Sequence, residues 1–146
     1  MFMTGSNAID AERAFTRAAR GRRRAALARR LRRVRDDGAR LCVYREQQLP
    51  GAVASGRRGI REIPIAAING TLEPSRAAMF DSSFRPAAGA RRRWERVWLA
   101  EHRGAVLPPI SVVAVGDGFA VRDGHHRVSV ARARGALSID ATVDAA

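Results

Sequence analysis

The stretch from Leu107 to Val143 constrains the fold most, because it strings strand, tight turn, strand and helix together almost without a spare residue. Ile110-Ser111-Val112-Val113-Ala114-Val115 is apolar and rich in β-branched side chains, as a strand requires. Gly116-Asp117-Gly118 is a hairpin turn, and Phe119-Ala120-Val121-Arg122 is the returning strand. Asp123-Gly124 breaks it. His125 to Arg134 reads as a helix stopped by Gly135, and Leu137 to Val143 as a last strand.

A helix that leaves a strand end so abruptly has its first backbone N–H groups free of intrahelical partners. Together with the positive end of the helix dipole they make an anion site. Asp123 is placed to cap the helix, Gly124 allows a phosphate to approach closely, and Arg127 adds a guanidinium in the first turn. A capped helix with nothing bound has the same signature. His125 and His126 are adjacent and project in different directions, so they do not form the i, i+4 pair of a metal site. His102 adds no ligand spacing, and no metal is expected. One of the two histidines belongs in the ligand site and the other in its wall, with the ring kept neutral by the helix start.

Upstream, Glu62 to Ile68 reads as a short edge strand, because Pro64 has no N–H to give a central ladder. Asn69-Gly70 then turns the chain, and residues 71–86 form a loop punctuated by Pro74 and Pro86. Residues 88–103 are a helix with Trp94, Val97 and Trp98 facing a core and Gly104 at its end. Arg91, Arg92 and Arg93 open that helix at the end where the dipole disfavours cations, which fits either a role beyond helix stability or, more commonly, a solvated face.

The charge is uneven. The chain of 146 residues carries +13, and all 27 basic residues are arginine. Residues 1–40 hold 12 arginines against 4 acids, a net +8, and the rest holds 15 against 10, a net +5. The first quarter lacks proline and reads as a helix, with Leu27, Leu31 and Val34 at i, i+4 and i+7 and Ile9 and Phe15 before them. Asn7 is the expected cap, Gly21 a weak point and Asp36-Asp37-Gly38 the stop. Arg13, Arg17, Arg20 and Arg24 form a basic stripe. It is either a solvated face or a phosphate-seeking one that binds DNA without sequence preference, since guanidinium groups pair with phosphate oxygens and release counterions. An arginine-only composition also reflects the base composition of a genome. Aromatic residues are scarce in the stripe, so base stacking there is not expected.

Length and composition fit one soluble domain with a modest extension. No apolar run is long enough to span a membrane, and the start lacks the pattern of a secretory signal. A single cysteine, Cys42, makes no internal disulfide and reads as a small buried hydrophobe in a cytoplasmic protein.

From about Ile63 to Val143 the chain resembles the ParB/sulfiredoxin-like superfamily. Ile63-Pro64-Ile65 through Ile68, then Glu73-Pro74-Ser75-Arg76 and Phe80-Asp81, resemble the first ParB box. LPPISVVAVGDGFAVRDGHHRVSVARARG resembles the second, with Gly124 and Arg127 at its defining Gly-x-x-Arg positions and Ala131 on the helix that follows. The resemblance implies an α+β fold, a small mixed-sheet domain over 60–146, preceded by an Arg-rich helical extension over 1–49 and a linker over 50–59. It implies a nucleotide, CTP or ATP/ADP with Mg2+, held by Gly124, His125, His126, Arg127 and Arg76, with Arg93 a further candidate.

In sulfiredoxins the residue after the box glycine is the catalytic cysteine. Here it is His125, and Cys42 lies outside the domain, so sulfinic-acid reduction is not expected. Partition ParB proteins continue into a helix-turn-helix domain where this sequence ends, so centromere-specific binding is not expected either. The DGHHR wording is closest to stand-alone members, among them free-serine kinases, for which Glu73 and Asp81 are the candidate bases. Two functions stay open: a nucleotide- or phosphate-binding protein associated with DNA, or a small phosphotransferase or nuclease-like enzyme using the same pocket. Scarcity of acids near the box favours binding. A homodimer is compatible with either.

Overall fold

The β-branched run beginning at Ile110 forms the middle of a six-stranded mixed sheet. In this computed structural model, which describes residues 3–33, 38–45 and 59–144, β4 (Ile110–Val115) and β5 (Gly118–Asp123) make an antiparallel hairpin. Gly116 takes the left-handed φ of +55° that the tight turn requires. β6 (Ser138–Asp144) runs parallel to β4 on its other side, and β2 (Ile60–Pro64) closes that edge antiparallel to β6. On the far side β3 (Ile68–Thr71) lies parallel to β5, and β1 (Cys42–Val43) parallel to β3, giving the order β1-β3-β5-β4-β6-β2. The helices are α1 (Met3–Leu31), α2 (Pro74–Ala77), α3 (Arg91–His102) and α4 (His125–Ala133). The fold is α+β, with an arginine-rich N-terminal helix, as expected.

Pro64 does mark an edge, because among the described residues β2 pairs with β6 alone. Asn69-Gly70, in contrast, is not a turn; both residues lie inside β3. A Cβ on Gly70 would fall 2.6 Å from the Cys42 carbonyl oxygen and 2.5 Å from the Tyr44 ring, so glycine serves close strand approach there. The direction change comes earlier, in the 3₁₀ turn Ile65–Ala67. Cys42 is corrected too: it is exposed on edge strand β1, which is hydrogen-bonded to the sheet, while the buried neighbour is Leu41. Residues 71–86 include α2 and a bridge between Phe80 and Pro86.

α1 begins at Met3, so Asn7 lies within it and caps nothing, and the helix passes Gly21 unbroken. It ends at Leu31, followed by Arg33 at a φ of +51°. Val34, Asp36 and Asp37, and the expected linker up to residue 58, lie outside the described residues. The face of α1 that packs matches the expected one only at Phe15. Phe15 is buried, whereas Ile9, Leu27 and Leu31 are exposed; Ala11 is buried as well, and Ala14, Ala18 and Ala19 pack with Phe15 against Trp94, Val97 and Trp98 of α3. Alanine carries little weight in a hydrophobic periodicity, yet its small side chain lets two helix axes approach closely. Phe15 meets Trp94 edge-on, with ring centroids 5.6 Å apart. Arg91 bonds Glu95 at 3.0 Å and lies 5.1 Å from the Phe15 ring centroid, so this arginine at the start of α3 ties α3 to α1.

The main core joins the sheet to the helices through Ile63, Ile68, Phe80, Phe84, Val112, Val121 and Val128. A smaller core holds Phe15, Trp94 and Val130. The two are linked by a polar relay: the Trp94 indole N–H donates to Ser129 Oγ at 2.9 Å, and the Ser129 hydroxyl donates to the Phe84 carbonyl. All three residues are buried. Ser129→Ala leaves a buried donor and a buried acceptor unpaired and should lower unfolding free energy by about 2 kcal/mol, measured by urea denaturation.

Candidate functional site

The end of β5 and the start of α4 meet at Gly124, whose φ is +107°. That conformation alone favours glycine, and a Cβ there would also fall 2.5 Å from Ile110 Cγ2. The missing side chain therefore lets the turn pack on β4. Gly124 itself is the cap residue of α4, and no side chain caps the helix. Asp123, the expected cap, is the exposed last residue of β5, one position too early to serve the first turn.

His125 and His126 are both buried, and both meet the Phe80 ring. Phe80 lies nearly parallel to His125, with centroids 6.4 Å apart, and edge-on to His126 at 5.2 Å. The two imidazoles differ in their partners. His125 Nε2 lies 2.6 Å from Thr71 Oγ1, a hydrogen bond whose donor depends on the ring tautomer. Thr71 Oγ1 also accepts the Glu73 N–H at 2.9 Å and so ties His125 to the start of α2. His126 Nε2 is buried and has no hydrogen-bond partner among the described residues.

Electrostatics set the two rings apart from ordinary histidines. Burial, then the Arg76 charge and the neighbouring His126, push His125 down to about 4, against a smaller upward pull from Asp123. His126 is pushed down to about 4 by burial first, then by Arg76 and Arg93. Arg76 and Arg93 thus bring positive charge from two other elements to the start of α4. Arg127 acts elsewhere. Its charge opposes the upward shift that burial gives Glu101 on α3, and its Nε and Nη1 are buried without a hydrogen-bond partner among the described residues.

The acidic candidates are differently placed. Asp81 is fully buried and accepts the Ser83 and Arg85 N–H groups on Oδ1, each at 2.9 Å, while Arg85 Nη1 lies 3.3 Å from Oδ2. Its carboxylate holds the 81–85 turn together, including Phe84 at a φ of +58°. Glu73 is exposed at the start of α2. Among the described residues no group of three or more His, Cys, Asp or Glu side chains is placed to hold a metal ion. No described helix is long and apolar enough to cross a membrane. Sequence reading missed Thr71 and the shared role of Phe80. An isolated threonine in a strand gives no local sign of its partner 54 residues away.

No family model matches this chain, and no curated protein matches it. Among solved structures, sulfiredoxin from Arabidopsis thaliana is similar over 60% of this chain and 86% of that one, at 17% identity and a TM-score of 0.46.

Both histidines stay neutral in the folded chain down to about pH 4, whereas in the unfolded chain they protonate near 6.5. The unfolded state binds more protons between those values, so stability is full above about pH 6.5 and is lost as pH falls toward 4. Each ring accounts for on the order of 3 kcal/mol of that loss. Urea midpoints measured from pH 7 to pH 4 should fall accordingly, and His126→Gln should make the decline shallower.

Proposed function

We propose that this chain binds the phosphate groups of a nucleotide at the start of α4. The observation that carries the reading is His126 Nε2, buried without a partner beside a helix start that no side chain caps and under the charges of Arg76 and Arg93. Backbone N–H groups of His125, His126 and Arg127 supply donors to the anion, His126 adds one from its ring, and the two guanidiniums balance the charge. His125, bonded to Thr71, forms the wall. Arg127 contributes through its backbone N–H, and its side-chain charge also reaches Glu101. The resemblance of the Gly124 to Arg127 segment to the Gly-x-x-Arg box supports the same assignment.

Isothermal titration with CTP, ATP and ADP in Mg2+ should give binding by at least one of them. Arg76→Ala should weaken it about tenfold or more, the loss of one charge-assisted contact. Arg127→Ala should weaken it less. An absence of heat with all three nucleotides contradicts the assignment. Turnover of the nucleotide with free serine, lost in Glu73→Ala, would replace binding by phosphotransfer.

The same proposal gives α1 a nucleic-acid contact. Arg13, Arg17, Arg20 and Arg24 are exposed and spaced along one helix, and they meet a phosphate backbone through charge. Four such contacts predict a log–log salt slope of about −3 to −4 in DNA-binding titrations, made shallower by Arg17→Glu combined with Arg20→Glu. A slope near zero contradicts the contact.

A further inference from the structure

We infer that the cleft between α1, the 83–86 loop and the C-terminal half of α4 seats a single strand of nucleic acid. The inference rests on the nucleic-acid reading of α1 and narrows it to one form and one site, away from the start of α4. The cleft measures about 800 Å³. Five arginines line it, Arg13 and Arg17 from α1, Arg85 from the loop, and Arg132 and Arg134 at the end of α4, with Asp10 as the lining carboxylate, while Arg85 pairs with Asp81 and Arg134 lies 3.9 Å from Glu101 behind the wall. The arginines on the inner wall are fixed in place. Arg132 donates to the Ser83 and Ile65 carbonyls at 3.2 and 3.5 Å, and Arg85 is held by Asp81. Arg85 also lies near enough for its charge to add to the burial that lowers the Arg132 pKa, against an upward pull from the buried Asp81. The remaining positive charge in a concave wall favours an anion in front of it.

One side of this cleft carries flat π-surfaces. Trp98 stacks on His102 with ring centroids 4.7 Å apart, and the Arg134 guanidinium lies 5.5 Å from the Trp98 centroid. His102 is exposed. Aromatic rings and guanidinium planes beside phosphate-binding arginines are the groups on which unpaired bases stack. A duplex keeps its base faces covered and offers none to this wall. The site is also longer than one nucleotide. A second groove of about 510 Å³ flanks α1, lined by Arg20, Arg24 and Arg91, and Arg13 and Arg17 line both. The positive track therefore continues over α1 for about 17 Å from Arg13 to Arg24 at the helical rise. A strand fits such a track better than a free nucleotide does.

The test is fluorescence anisotropy with labelled oligothymidylate of about 15 nucleotides and a duplex of equal length, with tryptophan emission read in parallel. Trp94 is fully buried, so quenching reports Trp98. The single strand should bind about tenfold tighter than the duplex and quench the emission. Arg134→Glu should weaken the single strand about tenfold while leaving the duplex within about twofold. His102→Ala, at an exposed position, should also weaken the single strand alone, and circular dichroism should show both variants folded. Equal affinity for the two forms, or equal loss on both in Arg134→Glu, overturns the cleft assignment while the α1 contact stands. No binding of either form overturns both.

Discussion

At Gly124 the backbone has a φ of +107° and a Cβ would fall 2.5 Å from Ile110 Cγ2, so β5 can pass into α4 only through a residue without a side chain. That junction sets the rotation of α4 about its axis and hence the surroundings of each side chain in its first turn. His125 meets Thr71 on β3, His126 meets the edge of Phe80 under the charges of Arg76 and Arg93, and Arg127 interacts with Glu101 on α3. Three consecutive residues therefore have three separate environments. The two imidazoles are neutral because they are buried among cations, and a neutral ring can sit there without an opposing carboxylate.

A chain with this excess of arginine must place its charges where they cost little. Several are tied locally: Arg85 to Asp81, Arg91 to Glu95 and to the Phe15 ring, Arg134 to the Trp98 ring. Arg29 and Arg30 in α1, and Arg132 in α4, lie in last turns, where the helix dipole favours cations. The alanine face of α1 completes the arrangement. It holds the arginine-bearing helix close to α3 through Phe15 and Trp94, which forms the concave surface between α1 and the end of α4. Helix α4 thus has backbone N–H groups without a side-chain cap at one end and clustered guanidiniums at the other.

The segment from Ile110 to Asp144 is legible in the sequence because every signal in it is local. β-branched runs, a glycine turn and a glycine stop each act within a few residues. The other half of the sheet is not legible in that way. Asn69-Gly70 has turn chemistry, and only contact with β1 and β5 shows it as strand. The packing face of α1 escaped notice because its key residues are alanines, while the leucines that carry the periodicity are exposed. At the site, the segment could be read but the roles of its members could not. Nothing between positions 123 and 127 tells that Asp123 is no cap, that His125 and His126 have unlike partners, or that Arg127 acts on α3. Those differences follow from which strand and which loop happen to lie beside each residue.

The most direct measurement is the pH titration of the His126 ring by NMR, with and without a bound phosphate ligand such as ADP. In the free protein the ring should titrate near 4, and with the ligand its pKa should rise, because a phosphate against Nε2 stabilises the protonated imidazole. His125, held by Thr71, should move less. A His126 titration unchanged at saturating ligand, with shifts confined to other parts of the protein, would contradict a phosphate site at the start of α4.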